Sequence, residues 1–292
     1  MKIGQIEITE LCRLAPMAAI SNAPFRLIAK ECGSGLTTTE EIDAFALVMD
    51  TPRSGDMAAY YPQERPLAMQ LLGKDPQALI RAAIRCEELG ADIIDLNMGC
   101  PMPKITGKGK GAALMKDVPG TARLLRAMRQ SIAVPFTIKI RGGWDDEHLN
   151  AVEVARMAES EGVDAITVHP RTRSQRFTGR APWMIIKDVV EAVRIPVTGN
   201  GDVRSMAEAR GMVAATREQN WMIYSLPNRR SLELENNLKC LQACVQSDKV
   251  FTRDLKKLGD LQRNCCEPET VFGSRTARKR NDKAKSLVHL RS

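Results

Sequence analysis

The sequence predicts an α/β chain folded as a (β/α)8 TIM barrel, with a short, divergent helical and basic segment at its C-terminus. Three observations predict it. Short β-rich runs alternate with helical stretches eight times, which implies a parallel sheet, and eight is the number that closes into a barrel. The helical stretches repeat apolar residues at i, i+3, i+4 and i+7, so each buries one face. The GxGxxG turn that an open doubly wound sheet carries after an early strand is missing.

In chain order, the candidate strands are 12–18, 36–40, 67–72 and 93–97, then 136–140, 165–169, 197–199 and 221–224. The intervening helices include 76–89, 121–131, 147–161, 183–193 and 205–215. Gly90 and Gly162 close two of them, as a left-handed residue commonly does. The Gly-rich GKGKGAAL at 107–114 lacks Walker spacing and follows a loop, so it reads as a mobile active-site loop. The barrel is expected over 1–226, with a divergent eighth strand. Residues 227–292 read as a short helical segment and a basic tail, disordered in part.

In such barrels chemistry collects where strands end. Those positions hold Pro16, Met17 and Ala18, then Gln70, Asn97 with Cys100, and Lys139 with Arg141. His169, Arg171 and Arg173 follow, and last come Asn200, Gly201 and Asp202. Each alone has a structural reading, since a lysine snorkels and an isolated cysteine packs as a small hydrophobe. Their convergence on one rim favours a site. One histidine without a carboxylate pair argues against a Ser-His-Asp triad, a zinc hydrolase or a glycosidase. Amides, a cation and a thiol instead suit a large heteroaromatic cofactor such as a flavin, whose reduced ring a lysine can stabilise.

The stretches LAPMAAISNAPFR, MQLLGKDP, DLNMGCPMPKITGKGKGAALM, IKIRGGW, ITVHPRTRSQRFTGRAPW and VTGNGD resemble the tRNA-dihydrouridine synthases, most closely their bacterial B-type subgroup. The resemblance covers residues 10–216. It implies an FMN-containing barrel that reduces specific uridines of tRNA to 5,6-dihydrouridine, with NADPH reducing the flavin. On matching positions it implies Cys100 as proton donor to C5. Pro16, Met17, Ala18, Gln70, Lys139, His169, Asn200, Gly201 and Asp202 would hold the flavin. Asn97, Arg141, Arg171 and Arg173 would serve the substrate, with Asn97, His169 and Arg171 shared between flavin and flipped uridine. A thiol with an ordinary pKa of about 8.5 is protonated at neutral pH and can act as that acid. Cys100 is therefore expected to sit apart from Lys139, whose charge would weaken it in that role.

Two departures qualify the match. Where the family reads GADGVMIGRGA, this chain has TREQNWMIYSLP, so Tyr224 and Ser225 replace a Gly-Arg pair that helps bind the FMN phosphate. Pro170 stands where the family usually has glycine. Two other readings therefore stay open: another FMN barrel oxidoreductase, similar to a dihydroorotate dehydrogenase, and an RNA-binding relic without flavin.

Charge adds less than its total suggests. The net charge of +8 comes from 43 Lys and Arg against 35 Asp and Glu. Residues 1–216 hold 27 and 26 of these, while residues 217–292 hold 16 and 9, so the barrel is nearly neutral and the excess lies in the tail. No apolar run approaches the ~20 residues of a membrane helix, and the N-terminal stretch has no apolar signal core. A cytoplasmic monomer whose partner is tRNA is expected, with no membrane and no metal. The eight cysteines then read as free thiols. Cys240, Cys244, Cys265 and Cys266 cluster without a CxxC pair, which disfavours zinc.

Overall fold

The computed structural model describes residues 1–203, all within one compact unit of the chain, Met1–Arg230. The expected helix at 205–215, the strand at 221–224, Tyr224 and Ser225, the C-terminal cysteines and the basic tail lie outside the described residues. So do the boundary at 226 and everything beyond it.

The chain begins with a two-stranded hairpin, β1 (Lys2–Ile3) and β2 (Ile6–Glu7), turned by Gly4 at φ 55°. Helix α1 (Ala23–Glu31) follows, capped by the Asn22 side chain on Phe25 N–H at 3.1 Å. Next come β3 (Thr37–Thr38), β4 (Ile42–Asp43), α2 (Ala44–Val48), α3 (Pro52–Ala58), β5 (Leu67–Leu72) and α4 (Pro76–Glu88). Then follow β6 (Ile93–Met98), α5 (Pro103–Thr106), α6 (Val118–Ser131), β7 (Phe136–Arg141) and α7 (Ala151–Ser160). The described part ends with β8 (Ala165–His169), α8 (Met184–Ala192) and β9 (Val197–Gly199). The strands β3, β5, β6, β7, β8 and β9 pair in that order, all parallel, with helices between them. This is the TIM-barrel fold, and the described residues supply the run from its second to its seventh strand.

The stretch 12–18 is not the strand expected. It runs extended beside the second strand, with Gly35 N–H on Cys12 O at 2.9 Å and Leu14 N–H on Leu36 O at 3.2 Å. Pro16 then removes a donor, and the Met17 carbonyl closes a turn by accepting from Ile20 N–H and Ser21 N–H. The stretch 107–114 also differs. Its second half opens a 3-10 helix, Gly111–Lys116, which packs against Cys100.

Strand alternation separates two environments. The outward residues Leu67, Met69, Leu71, Ile94, Leu96, Phe136, Ile138, Ile166 and Val168 join the helices in one large apolar core. At the inner floor, Leu36, Ala68, Ile93 and Ala165 meet Ile3 and Ile8, so the N-terminal hairpin plugs the bottom of the barrel. Above this plug the inward face turns polar. Arg13, Thr38, Asp95, Thr137, Lys139 and Thr167 line a cavity of about 10 Å3, room for a single water.

The second strand is built in two pieces. Thr38 pairs with Ala68, and Ile42 pairs with Leu71, so four steps along one strand oppose three along the other. Residues 39–41 therefore form a β-bulge. Such a bulge re-aims the side chains that follow it. Plain alternation from inward Thr38 would put Glu40 inward and Glu41 outward. The bulge reverses this and turns Glu41 to the barrel mouth.

Candidate active site

The site is organised around Asn97, the last inward residue of β6. Its Oδ1 accepts from Gly99 N–H at 3.1 Å and Cys100 N–H at 2.9 Å. Its Nδ2 donates to Gln70 Oε1 at 2.8 Å and to Glu41 Oε2 at 3.0 Å. The amide's hydrogen-bonding capacity is spent on protein. Gln70, 1% exposed, donates in turn to Asp95 Oδ2 at 2.6 Å, and Thr137 donates to Asp95 Oδ1 at 2.6 Å. Both amides are thus brought to the site, where they serve the scaffold.

Cys100 is held from three sides. Asn97 takes its N–H, its carbonyl accepts from Ala112 N–H at 3.1 Å, and its Sγ lies 4.0 Å from Glu41 Oε1. Gly111, at φ 61°, must be glycine for this packing, because a Cβ there would come within 2.8 Å of Cys100 O. Burial pushes the thiol pKa up, a Met102 backbone contact opposes, and the Glu41 charge adds to the rise. The thiol is therefore protonated at neutral pH. Glu41 is itself pushed up, by burial first, with the Cys100 contact lowering it and Glu40 raising it again.

Lys139 donates to Asn200 Oδ1 at 3.0 Å, away from Cys100 and Glu41. The expected separation from Cys100 is one of bonding and not of charge, since a thiolate at Cys100 still acts on the ammonium. Burial and the Arg141 charge push Lys139 down to about 8. His169, 9% exposed, stands beside it. Burial, then Lys139, Arg141 and Arg171, push its pKa down to about 2, so the imidazole is neutral. Its Nδ1 is buried with no hydrogen-bond partner among the described residues. Gly201, at φ 117°, approaches the same ring so closely that a Cβ would sit 3.2 Å from Nε2.

The three arginines hold protein. Arg141 Nε donates to Gly99 O at 2.8 Å, and its Nη1 donates to Thr172 O at 3.2 Å and Arg176 O at 2.7 Å. It braces the Cys100 turn against the loop after β8. Arg171 pairs with both oxygens of Asp202, at 2.7 and 2.8 Å, and with the carbonyls of Thr178 and Gly179. Asp202 also accepts from Ala181 N–H at 2.7 Å. Arg173 donates to Thr106 Oγ1 at 3.2 Å and lies 4.5 Å from the centre of the Trp144 ring. Pro16 lines the inner cavity, Met17 is half-buried in its turn, and Ala18 is exposed.

Three residues at the site escape a reading of strand ends: Glu41, Asp95 and Arg13. Asp95 carries a signal, since it lies two residues before Asn97 and shares its face. Arg13 is 4% exposed, lines the cavity and acts on the Asp95 charge. Among the described residues no group of three His, Cys, Asp or Glu side chains could hold a metal. None of the described helices is long and apolar enough to cross a membrane.

A parallel barrel with an amide-anchored thiol, a half-buried lysine and a neutral histidine at its mouth belongs to a definable class. Residues 13–226 match the dihydrouridine synthase (Dus) family, and the chain belongs to that family. It is 41% identical over 211 residues to a protein named probable tRNA-dihydrouridine synthase from Rickettsia conorii, covering 72% of this chain and 64% of that one. It is 38% identical over 216 residues to tRNA-dihydrouridine synthase B of Pseudomonas aeruginosa, covering 74% and 65%. The chain thus spans just under two thirds of the length of these relatives. Its fold is similar to that of a 2-naphthoyl-CoA reductase complex, with a TM-score of 0.59 at 13% identity over 77% of this chain and 49% of that one. A histamine dehydrogenase from Rhizobium gives 0.58 at 14% identity over 82% and 47%.

Proposed function

We propose that this chain reduces uridine in tRNA to 5,6-dihydrouridine, using FMN and NADPH, with Cys100 as the proton donor. The observation that carries the reading is the Cys100 thiol, fixed by Asn97 at a strand end and kept protonated by its burial. Reduction of a uracil ring needs such an acid where charge develops after hydride arrives.

The described residues fit a flavin at its ring end. His169 Nδ1 is a buried acceptor or donor in want of a partner, and Lys139 brings positive charge to the same mouth. At the phosphate end Arg171 and Asp202 neutralise each other, and Gly201 leaves its backbone open to close approach. Bound FMN, reduced by NADPH, would supply the hydride. Lys139 then holds a cation beside the acceptor site, and His169 contributes a neutral hydrogen bond there. Arg141 keeps Gly99 in place, and Cys100 delivers its proton.

The rim supports an RNA substrate. Lys104 and Lys108 after β6, and Arg176 and Arg180 after β8, are exposed at the C-terminal ends of the strands. Met102, 46% exposed, and Phe177, 68% exposed, lie among them. Cations that track phosphates beside apolar groups that receive an unstacked base are what an extruded uridine needs. In this reading the protein works in the cytoplasm as a monomer. Residues 1–226 form the barrel and 227–292 are an appended segment.

The test is Cys100→Ala in the full chain. It should retain a flavin absorption band and lose at least about 100-fold in turnover on tRNA, the usual weight of a general acid. Undiminished turnover removes Cys100 from the mechanism. A wild-type protein that takes up no flavin overturns the enzymatic reading and leaves an RNA-binding barrel.

A further inference from the structure

Glu41 has no part in the reaction proposed above, yet the bulge at residues 39–41 turns it to the thiol. Its carboxylate bridges the two groups that fix the acid: Oε2 accepts from Asn97 Nδ2 at 3.0 Å, and Oε1 lies 4.0 Å from Cys100 Sγ. Around the thiol, Glu41 stands before β4, and Lys139 and Arg141 stand on β7. Arg141 is spent on three carbonyls and Lys139 on Asn200. Beside Glu41 the other charged group is Glu40, which accepts from Ala19 N–H at 2.7 Å. Of the charges around Cys100, Glu41 alone is a proton-carrying acid aimed at the sulfur.

We propose that Glu41 is the proton relay for Cys100: it opposes thiolate formation between turnovers and returns a proton to the sulfur after each transfer. The inference rests on the reading of Cys100 as the acid. In the first step the S–H bond breaks, its proton forms a C–H bond on the reduced base, and a thiolate remains. In the second, a solvent proton drawn by the thiolate forms an O–H bond on the Glu41 carboxylate; that O–H bond then breaks as S–H forms again, and the resting carboxylate is restored. Solvent reaches the carboxylate for this step, for Glu41 is only half-buried. A carboxylic acid is stronger than a thiol, so the return step runs downhill. An ionised Glu41 disfavours a second negative charge beside it, which keeps the resting thiol protonated. Burial raises the affinity of the Glu41 carboxylate for the proton it relays.

The test separates this inference from the reading beneath it. The full chain, Glu41→Gln and Glu41→Ala are alkylated with iodoacetamide from pH 6 to 10.5, and the Cys100 peptide is quantified by mass spectrometry. Cys86, fully buried, reports unfolding in the same sample, and molecules labelled there are excluded. Both variants should move the Cys100 midpoint down by about one pH unit, the effect of removing a neighbouring like charge. A midpoint that stays or rises overturns the coupling, whatever Cys100→Ala does to turnover. Glu41→Gln should also slow steady-state turnover about tenfold in the wild-type background, yet add nothing on the residual rate of Cys100→Ala. An equal loss in both backgrounds overturns the relay and leaves Glu41 a structural residue.

Discussion

Replacing Lys139 by methionine should remove the gain in stability that this lysine contributes above neutral pH. In the folded barrel, burial and Arg141 hold the Lys139 pKa at about 8, against an ordinary 10.5. Between these values the unfolded chain binds more protons than the folded one, so stability increases as pH rises through the window. At about 1.4 kcal/mol per unit, the window contains about 3 kcal/mol. Methionine keeps an unbranched stem and carries no proton, so the variant lacks this gain. The difference between wild type and variant should change by about 3 kcal/mol from pH 7.5 to 10.5, with wild type gaining. Titrations remote from Lys139 are common to both proteins and cancel; His169, which shares a charge contact with it, titrates far below the window, and making the comparison in a Cys100→Ala background removes the one thiol that acts on it. Urea denaturation of both full-length proteins at half-unit pH steps gives the curves. Parallel curves would show that Lys139 is not desolvated as its surroundings imply. At pH 7 the fold carries this penalty, and a cation kept at such a cost is expected where charge is used, not where it is merely solvated.

Two other side chains give predictions of a different kind. Arg141→Met removes the donor to Gly99, Thr172 and Arg176 together, so the Cys100 turn loses its brace; turnover on tRNA should fall about 100-fold, in line with the cost of a small misplacement. Unchanged kinetics would show that Asn97 suffices to place the thiol. Arg26 and Glu64 form an ion pair at 2.6 Å with side chains only 1% and 0% exposed, and Glu64→Gln should cost about 3–5 kcal/mol by leaving the guanidinium uncompensated. A loss of stability below about 1 kcal/mol in urea would mean that the carbonyls of Ser21 and Ala59 are enough for Arg26.

The outer half of the barrel was legible in the sequence because its signal is local. The strands 67–72, 165–169 and 197–199 run as read, and 93–97 and 136–140 each extend by one residue. The apolar sides of these strands and helices mark the core without any knowledge of neighbours. The inner half depends on geometry between strands. Glu40 and Glu41 are adjacent and alike, and only the bulge decides which of them faces Cys100. In the same way, Gly109 and Gly111 look like flexibility in a string of glycines, whereas Gly111 is there so that the chain can lie against Cys100. A glycine that permits close contact and one that permits motion read identically. The stretch 12–18 misleads for another reason. Its composition suits a strand, but Pro16 and the turn on the Met17 carbonyl stop it from pairing along its length.

The polar interior also explains why so many site residues reach their places through one another. Asp95 sits at the barrel's centre with a donor on each carboxylate oxygen, from Thr137 and from Gln70. With the Gln70 amide nitrogen turned to Asp95, its oxygen must face Asn97. Asn97 must then present its nitrogen to Gln70, and its remaining oxygen points to the backbone of Gly99 and Cys100. Each amide has one orientation that satisfies both neighbours, so the carboxylate at the centre sets the direction of hydrogen bonds out to the Cys100 turn. A flipped Asn97 would place a nitrogen against two N–H donors and an oxygen against the Glu41 carboxylate. The orientation of the turn that carries Cys100 is therefore fixed by Asp95, two amides away, and the same chain ends on Glu41. Scaffold and candidate site meet in Asn97, which joins Gln70 and Glu41 on one side to the backbone of Gly99 and Cys100 on the other.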